Sequence, residues 1–301
     1  MLEKRTDLAL EAKELWAESA AEQTRLEGVE AREGDVSGYP TTVVRILDQR
    51  GETALGKPVG TYVTVELDTL ARREEDAFGR GVEAISGQLA PLLELRPQDS
   101  VLVVGLGNAD ITPDGIGPIS ARHTMATRHL VDAIPVHFGA FRRISVLEPG
   151  VLGSTGIESA EVLRAVVAEI RPDKVVVIDA LASRKLSRVC RTVQISDTGI
   201  VPGSGVGNSR AAINRETLGV PVIAVGVPTV VDAATLAADL LEQRGGNLTP
   251  EDFSGADGGS MIVTPKEIDT KVADISKLVG YSLNYAFHDG ISIGDIDLFL
   301  S

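Results

Sequence analysis

Short apolar runs rich in Val and Ile recur from the middle of the chain onward, with helix-like segments between them. They are "SVLVVGLG" (100–107), "RRISVLEPG" (142–150), "DKVVVIDAL" (173–181), "RTVQISD" (191–197) and "PVIAVGVP" (221–228). A strand with no polar side has nothing to offer water, so each run must be covered on both faces. Intervening helices provide that cover and the long crossovers that parallel strands require. Helices are expected from about 116, from about 158, and across "TVVDAATLAADLLEQ" (229–243). The pattern predicts an α/β fold, a mostly parallel doubly wound sheet covered by helices.

Ahead of this core the spacing changes. Residues 8–32 read as helix, "TTVVRILD" (41–48) and "TYVTVELD" (61–68) alternate like a hairpin or edge sheet, and 70–95 read as a long amphipathic helix. Residues 8–95 are thus expected to form an N-terminal strand-and-helix appendage to a core over 96–243, all within one domain over 8–301. Residues 244–263 are rich in Gly and Asp and read as loop, followed by a helix over 266–287.

Composition narrows the function classes. Aromatics are only 4% of the chain, so Val, Ile, Leu and Ala must fill the core. A net charge of −14 opposes a nucleic-acid groove. The single cysteine, Cys190, excludes an internal disulfide and suits a reducing cytoplasm. His123, His129, His137 and His288 lack metal-ligand spacing, so neither metal nor cofactor is expected. No apolar run approaches the roughly 20 residues of a membrane span, and the charged start "MLEKRTDLALEAKELW" is not expected to be a signal peptide.

The run "VLVVGLGNADITPDGIGP" (101–118) opens like a nucleotide loop. A dinucleotide fingerprint needs a third glycine at position 110, which is Asp110, and carboxylates at Asp110 and Asp114 would repel a phosphate. In open α/β sheets, chemistry collects beyond the carboxyl ends of the strands. Asn108, Asp110 and Asp114 follow the first core run, Asp179 ends "KVVVID", Asp197 follows "VQIS", and Thr229 follows "VIAVGVP". Singly, Asp114 and Asp179 read most simply as helix caps. Together, on one rim, they can share a proton and act as base and acid. "PGSGVGN" (202–208) is either an oxyanion nest or, more simply, a turn whose glycines take positive φ.

Several longer stretches resemble one family. They are "RTDLALEAKE" (5–14), "LVVGLGN" with "TPDGIGP" (102–118), "TRHL" (127–130), "PGVLGSTGIES" (149–159), "VIDALASR" (177–184), "QISDTGIVPGSGVGNSR" (194–210) and "LGVPVIAVGVPTVVDAATLAAD" (218–239). The chain is similar here to the germination proteases of endospore formers, endopeptidases that degrade small acid-soluble spore proteins. The resemblance runs to about residue 240. It implies a fold like that of hydrogenase-maturation peptidases, a homotetramer, a location in the spore core, and a zymogen with residues 1–7 as pro-segment. It further implies essential aspartates at Asp114 and Asp179, and self-processing between Asp7 and Leu8, where an acidic residue precedes an apolar one as in the family's substrates. Two alternatives stay open. One is a metal-sensing maturation peptidase, which needs His123 or His129 near the two aspartates. The other is a non-catalytic binding module.

Overall fold

The computed structural model describes residues 6–19, 26–207, 210–242 and 261–301. Its first part runs α1 (Ala9–Ser19), β1 (Val29–Val36), β2 (Tyr39–Ile46), α2 (Gln49–Leu55), β3 (Gly60–Glu66) and α3 (Ala77–Leu93). The middle runs β4 (Ser100–Gly105), α4 (Ile116–Arg122), β5 (Arg143–Leu147), α5 (Ser159–Ile170), β6 (Lys174–Ala182) and β7 (Thr192–Ser196). The last part holds β8 (Val222–Asp232), α6 (Ala233–Glu242), β9 (Ile262–Val263), α7 (Ile268–Phe287) and α8 (Ile293–Leu300).

The strands lie in the order β1-β2-β3-β7-β8-β6-β4-β5, with β9 beside β8. The centre, β8-β6-β4-β5, is parallel, as the apolar runs predicted. Side chains alternate between two cores. Val101, Val103, Val176 and Ile178 pack with Ile85 and Leu89 of α3 and Leu278 of α7. Leu102, Val104, Val175 and Val177 pack with Leu163 and Val167 of α5 on the other face. Burial contributes roughly 1.5–3 kcal/mol per side chain of this size. Helices on both faces are therefore what these strands require.

The N-terminal strands extend the same sheet. Residues 183–191, between β6 and β7, contain only a single 3₁₀ turn, Leu186–Arg188, and no crossover helix. The chain therefore returns in the opposite direction, and β7 pairs antiparallel with β8 on one side and β3 on the other. β1 and β5 form the two ends of the sheet. α1 and α2 cover the wing through Ala9, Val44, Ile46, Leu55 and Tyr62, with Trp16 packed alongside.

Several sequence expectations shift. The helix expected over 8–32 ends at Ser19 within the described residues, and Val29–Val36 is a strand joined to β2 by Ser37 and Gly38, both at positive φ. Such a two-residue reversal suits the twist of paired strands and outweighs the helical composition. The long helix starts at Ala77 rather than 70. "TVVD" (229–232) continues β8, where Val230 and Val231 are buried, and the helix begins only at Ala233. Most of the expected 244–263 loop lies outside the described residues.

Candidate active site

Glycines bring the first strand and the next helix unusually close, and this places Asp114. A Cβ on Gly117 would lie 2.0 Å from the Leu106 carbonyl oxygen, and one on Gly105 would lie 2.4 Å from that of Gly117. The glycines of "GLGNADITPDGIGP" thus let α4 rest on the end of β4, backbone against backbone. Between them Thr112–Asp114 forms a 3₁₀ turn. Thr229 of β8 donates its hydroxyl to the Pro113 carbonyl at 2.6 Å, and the Asn108 amide donates to the Asp114 carboxylate at 2.8 Å. Asp114 closes its own loop and caps no helix.

Asp179 does not end its strand, because β6 continues to Ala182. It lies one residue beyond Ile178, the last partner of β4, and opposite Gly226 of β8. Relative to β4 the rim expectation holds, and the two carboxyl groups meet in one cleft of about 430 Å3. Asp179 is 5% exposed, and the amide of Ala180 donates to it at 2.9 Å. Burial, reinforced by the charges of Asp114 and Asp7, pushes the Asp179 carboxyl well above the usual range. Burial also raises Asp114, while the Asn108 amide pulls the other way. The two environments differ in a useful sense: Asp179 holds its proton more firmly.

Asp197 lies elsewhere. β7 runs against β8, so its carboxyl end points to the opposite rim, where Asp197 accepts from the Thr61 amide at 2.8 Å. The glycine-rich segment behaves as a turn, with Gly203 and Gly207 at positive φ around Ser204–Val206. Asn208 and Ser209 lie outside the described residues.

The cleft also holds the chain's own N-terminal segment. Of the expected pro-segment, residues 1–5 lie outside the described residues, but Thr6 and Asp7 are placed. The Asp7 amide donates to the Ala182 carbonyl at 3.0 Å. Its carboxylate accepts from the Ala182 amide at 2.8 Å and from the Ser204 hydroxyl at 2.6 Å. Leu8 is fully buried. Gln194 of β7 donates from Nε2 to the Asp7 carbonyl oxygen at 3.2 Å and accepts the Ala9 amide at 2.7 Å.

Downstream, the fully buried Glu11 accepts from the amides of Arg184 at 2.6 Å and Lys185 at 3.0 Å. Glu14 binds Lys185 and Arg188. Its burial would raise its pKa, but hydrogen bonds from Arg188 and Lys185 outweigh that and lower it to about 2.

Sequence reading thus singled out Asp7, Leu8, Asp114 and Asp179; Asp7, Asp114 and Asp179 line the cleft, and Leu8, next to Asp7 in the chain, is buried. It passed over Gln194, whose one available signal was a polar residue between Val193 and Ile195 in an apolar strand. It read Ser204 only as part of the glycine-rich turn or nest, not as a partner for Asp7. The histidine a metal-sensing site needs is missing from the described lining of the cleft. His123 follows α4 near the Tyr281 ring, and His129 lies in the short helix Arg128–Ala133. Among the described residues no group of three His, Cys, Asp or Glu is placed to hold a metal ion, and no helix is long and apolar enough to cross a membrane.

An α/β sheet whose rim cleft brings the chain's own Asp7 together with the buried Asp179 and the half-buried Asp114 presents the carboxyl groups that acid–base hydrolysis uses. The family model of the germination protease matches residues 9–244. A germination protease of Caldanaerobacter subterraneus subsp. tengcongensis is 44% identical, over 96% of this chain and 95% of its own. One from Clostridium tetani is 40% identical over 99% of both chains, and one from a Geobacillus strain is 35% identical over 97% and 95%. The chain belongs to the germination protease family, and that membership supports a peptidase role in spore germination.

Proposed function

We propose that this protein is an atypical aspartic endopeptidase that begins the breakdown of small acid-soluble spore proteins at germination. It is made as a zymogen in the spore core, cuts itself between Asp7 and Leu8, and works as a homotetramer. Its fold is akin to that of hydrogenase-maturation peptidases. The observation that carries the reading is Asp7, seated by backbone and carboxylate in the cleft of Asp114 and Asp179. A segment held this way resembles a bound substrate, with an acid before the bond and buried Leu8 after it.

Asp114, where burial raises the carboxyl and the Asn108 amide offsets part of that, serves as base toward water. Asp179, kept protonated by burial and by the neighbouring charges, serves as acid toward the carbonyl oxygen or the leaving amine. Substrates that bury little core of their own can enter such a cleft extended, without prior unfolding.

N-terminal sequencing after incubation tests the reading, using the wild type, Asp114→Asn and Asp179→Asn. Asn keeps the shape but cannot exchange a proton. A new terminus at Leu8 in the wild type alone is expected, together with cleavage of a spore-protein extract followed by mass spectrometry. Either Asn variant turning over at near wild-type rate refutes the carboxyl pair. A Leu8 terminus in all three proteins assigns the cut to another protease.

A further inference from the structure

Gln194 contacts the chain on both sides of the bond between Asp7 and Leu8. On β7, Val193 and Ile195 point into the main core, which leaves Gln194, flanked by Thr192 and Ser196, on the face toward α1. Its side chain is buried, and the orientation of its amide group is fixed chemically. The backbone N–H of Ala9 can only donate, so the atom 2.7 Å away must be Oε1. Nε2 then faces the other way and donates to the Asp7 carbonyl oxygen at 3.2 Å. That oxygen belongs to the carbonyl that hydrolysis would attack.

We propose that Gln194 is a catalytic residue whose Nε2–H polarises the carbonyl oxygen of the scissile bond and holds the negative charge that develops there. The proposal rests on reading Asp7–Leu8 as the processing site, and extends to the equivalent bond of a protein substrate. The water oxygen bonds to the carbonyl carbon while Asp114 takes one of its protons. The C=O electron pair moves onto the oxygen held by Gln194. When the pair returns, the C–N bond breaks, and the leaving nitrogen takes a proton from Asp179. Proton transfer between the carboxyl groups restores the starting state, so the net change is one water added across one bond.

A neutral donor suits this place better than a cation. A Lys or Arg donating to the Asp7 carbonyl oxygen in place of Gln194 would favour the ionised forms of carboxyl groups near it and oppose the proton the acid role needs. An amide stabilises a transient oxyanion through a fixed dipole and leaves the carboxyl groups' proton count unchanged. Ala9 anchors the other end of the amide, so little reorganisation is needed when charge appears.

The test uses full-length Gln194→Met and Gln194→Glu, each first checked for wild-type circular dichroism and melting. Two rates are read by mass: first-order self-cleavage at Asp7–Leu8, and kcat and KM on a peptide with the sequence of residues 3–14. Losing one such donor lowers kcat by about 100-fold or more, with KM within about threefold because Asp7 keeps its Ala182 and Ser204 contacts. Gln194→Glu retains the acceptor for Ala9 and loses the donor. It is slow at neutral pH and recovers on acidification, when its carboxyl regains an O–H. A purely structural role predicts no such recovery. Near wild-type kcat in Gln194→Met, or a rise confined to KM, overturns the proposal while leaving the endopeptidase reading intact. Failure of the wild type to cut either bond overturns that reading, and the role of Gln194 with it.

Discussion

Gly205→Ala tests whether the seat of Asp7 matters for the cut. A Cβ on Gly205 would lie 2.2 Å from Asp7 Oδ2, 2.6 Å from its Cγ and 2.8 Å from the Ala182 Cβ. Gly205 is not among the glycines at positive φ, so Ala fits its backbone and the effect falls on the contact. Ordinary contact begins near 3.4 Å, so the carboxylate must withdraw by about 1 Å. That breaks its bonds to the Ala182 amide and the Ser204 hydroxyl, now 2.8 and 2.6 Å. Hydrogen bonds to a charged group contribute about 1.5–3 kcal/mol each, and water restores part of the loss. A net loss of about 2–3 kcal/mol slows self-cleavage roughly 30- to 150-fold. The assay is an intact-mass time course of full-length chain. Gly87→Ala, where nothing lies within 4 Å of the new carbon, serves as control and should process normally. Wild-type processing by Gly205→Ala would mean that Asp7 does not pass through this seat on the way to the cut.

Stability is expected to report the burial of Asp179. Its folded carboxyl titrates well above the ordinary 3.8, so between those values the folded chain holds a proton the unfolded chain has lost. Stability therefore falls as pH rises through that window. Asp179→Asn should melt above the wild type at neutral pH, and the gap should close below the ordinary value; a gap independent of pH contradicts the assignment. Dialysis against a strong chelator should leave cleavage unchanged, since the described lining of the cleft presents carboxyl groups without histidine or cysteine; activity lost and restored by zinc or nickel would return the metal-sensing reading.

The parallel centre of the sheet was legible because strands buried on both faces leave continuous apolar runs, and Leu102, Val103 and Val104 do alternate between two cores. Asp114 and Asp179 could be placed on one rim because β4 and β6 are parallel neighbours. The direction of β7 was not legible. Its alternation would be the same either way, and only the absence of a helix between β6 and β7 decides it. That reversal sends Asp197 to the far rim and turns Gln194 toward Asp7. β1 was hidden by its composition: four of the eight residues of "VEAREGDV" are charged, and its pairing depends on the turn at Ser37 and Gly38. The contacts of Asp7 with Ser204 and Ala182 join residues nearly two hundred positions apart, which no local pattern can announce.

The polar surface of β1 has a consequence for a protease that would work on unfolded chains. An end strand offers an unpaired row of amides and carbonyls, to which any extended polypeptide can add. A germinating spore would surround this molecule with such polypeptides if the proposed substrates are right. Along β1, Glu30, Arg32, Glu33 and Asp35 are exposed. An incoming strand would have to set its side chains against these charges and strip their water, which discourages pairing. The charged margin thus keeps loose chains from accumulating along the sheet as a growing aggregate. It leaves the cleft as the place where an extended segment is welcome.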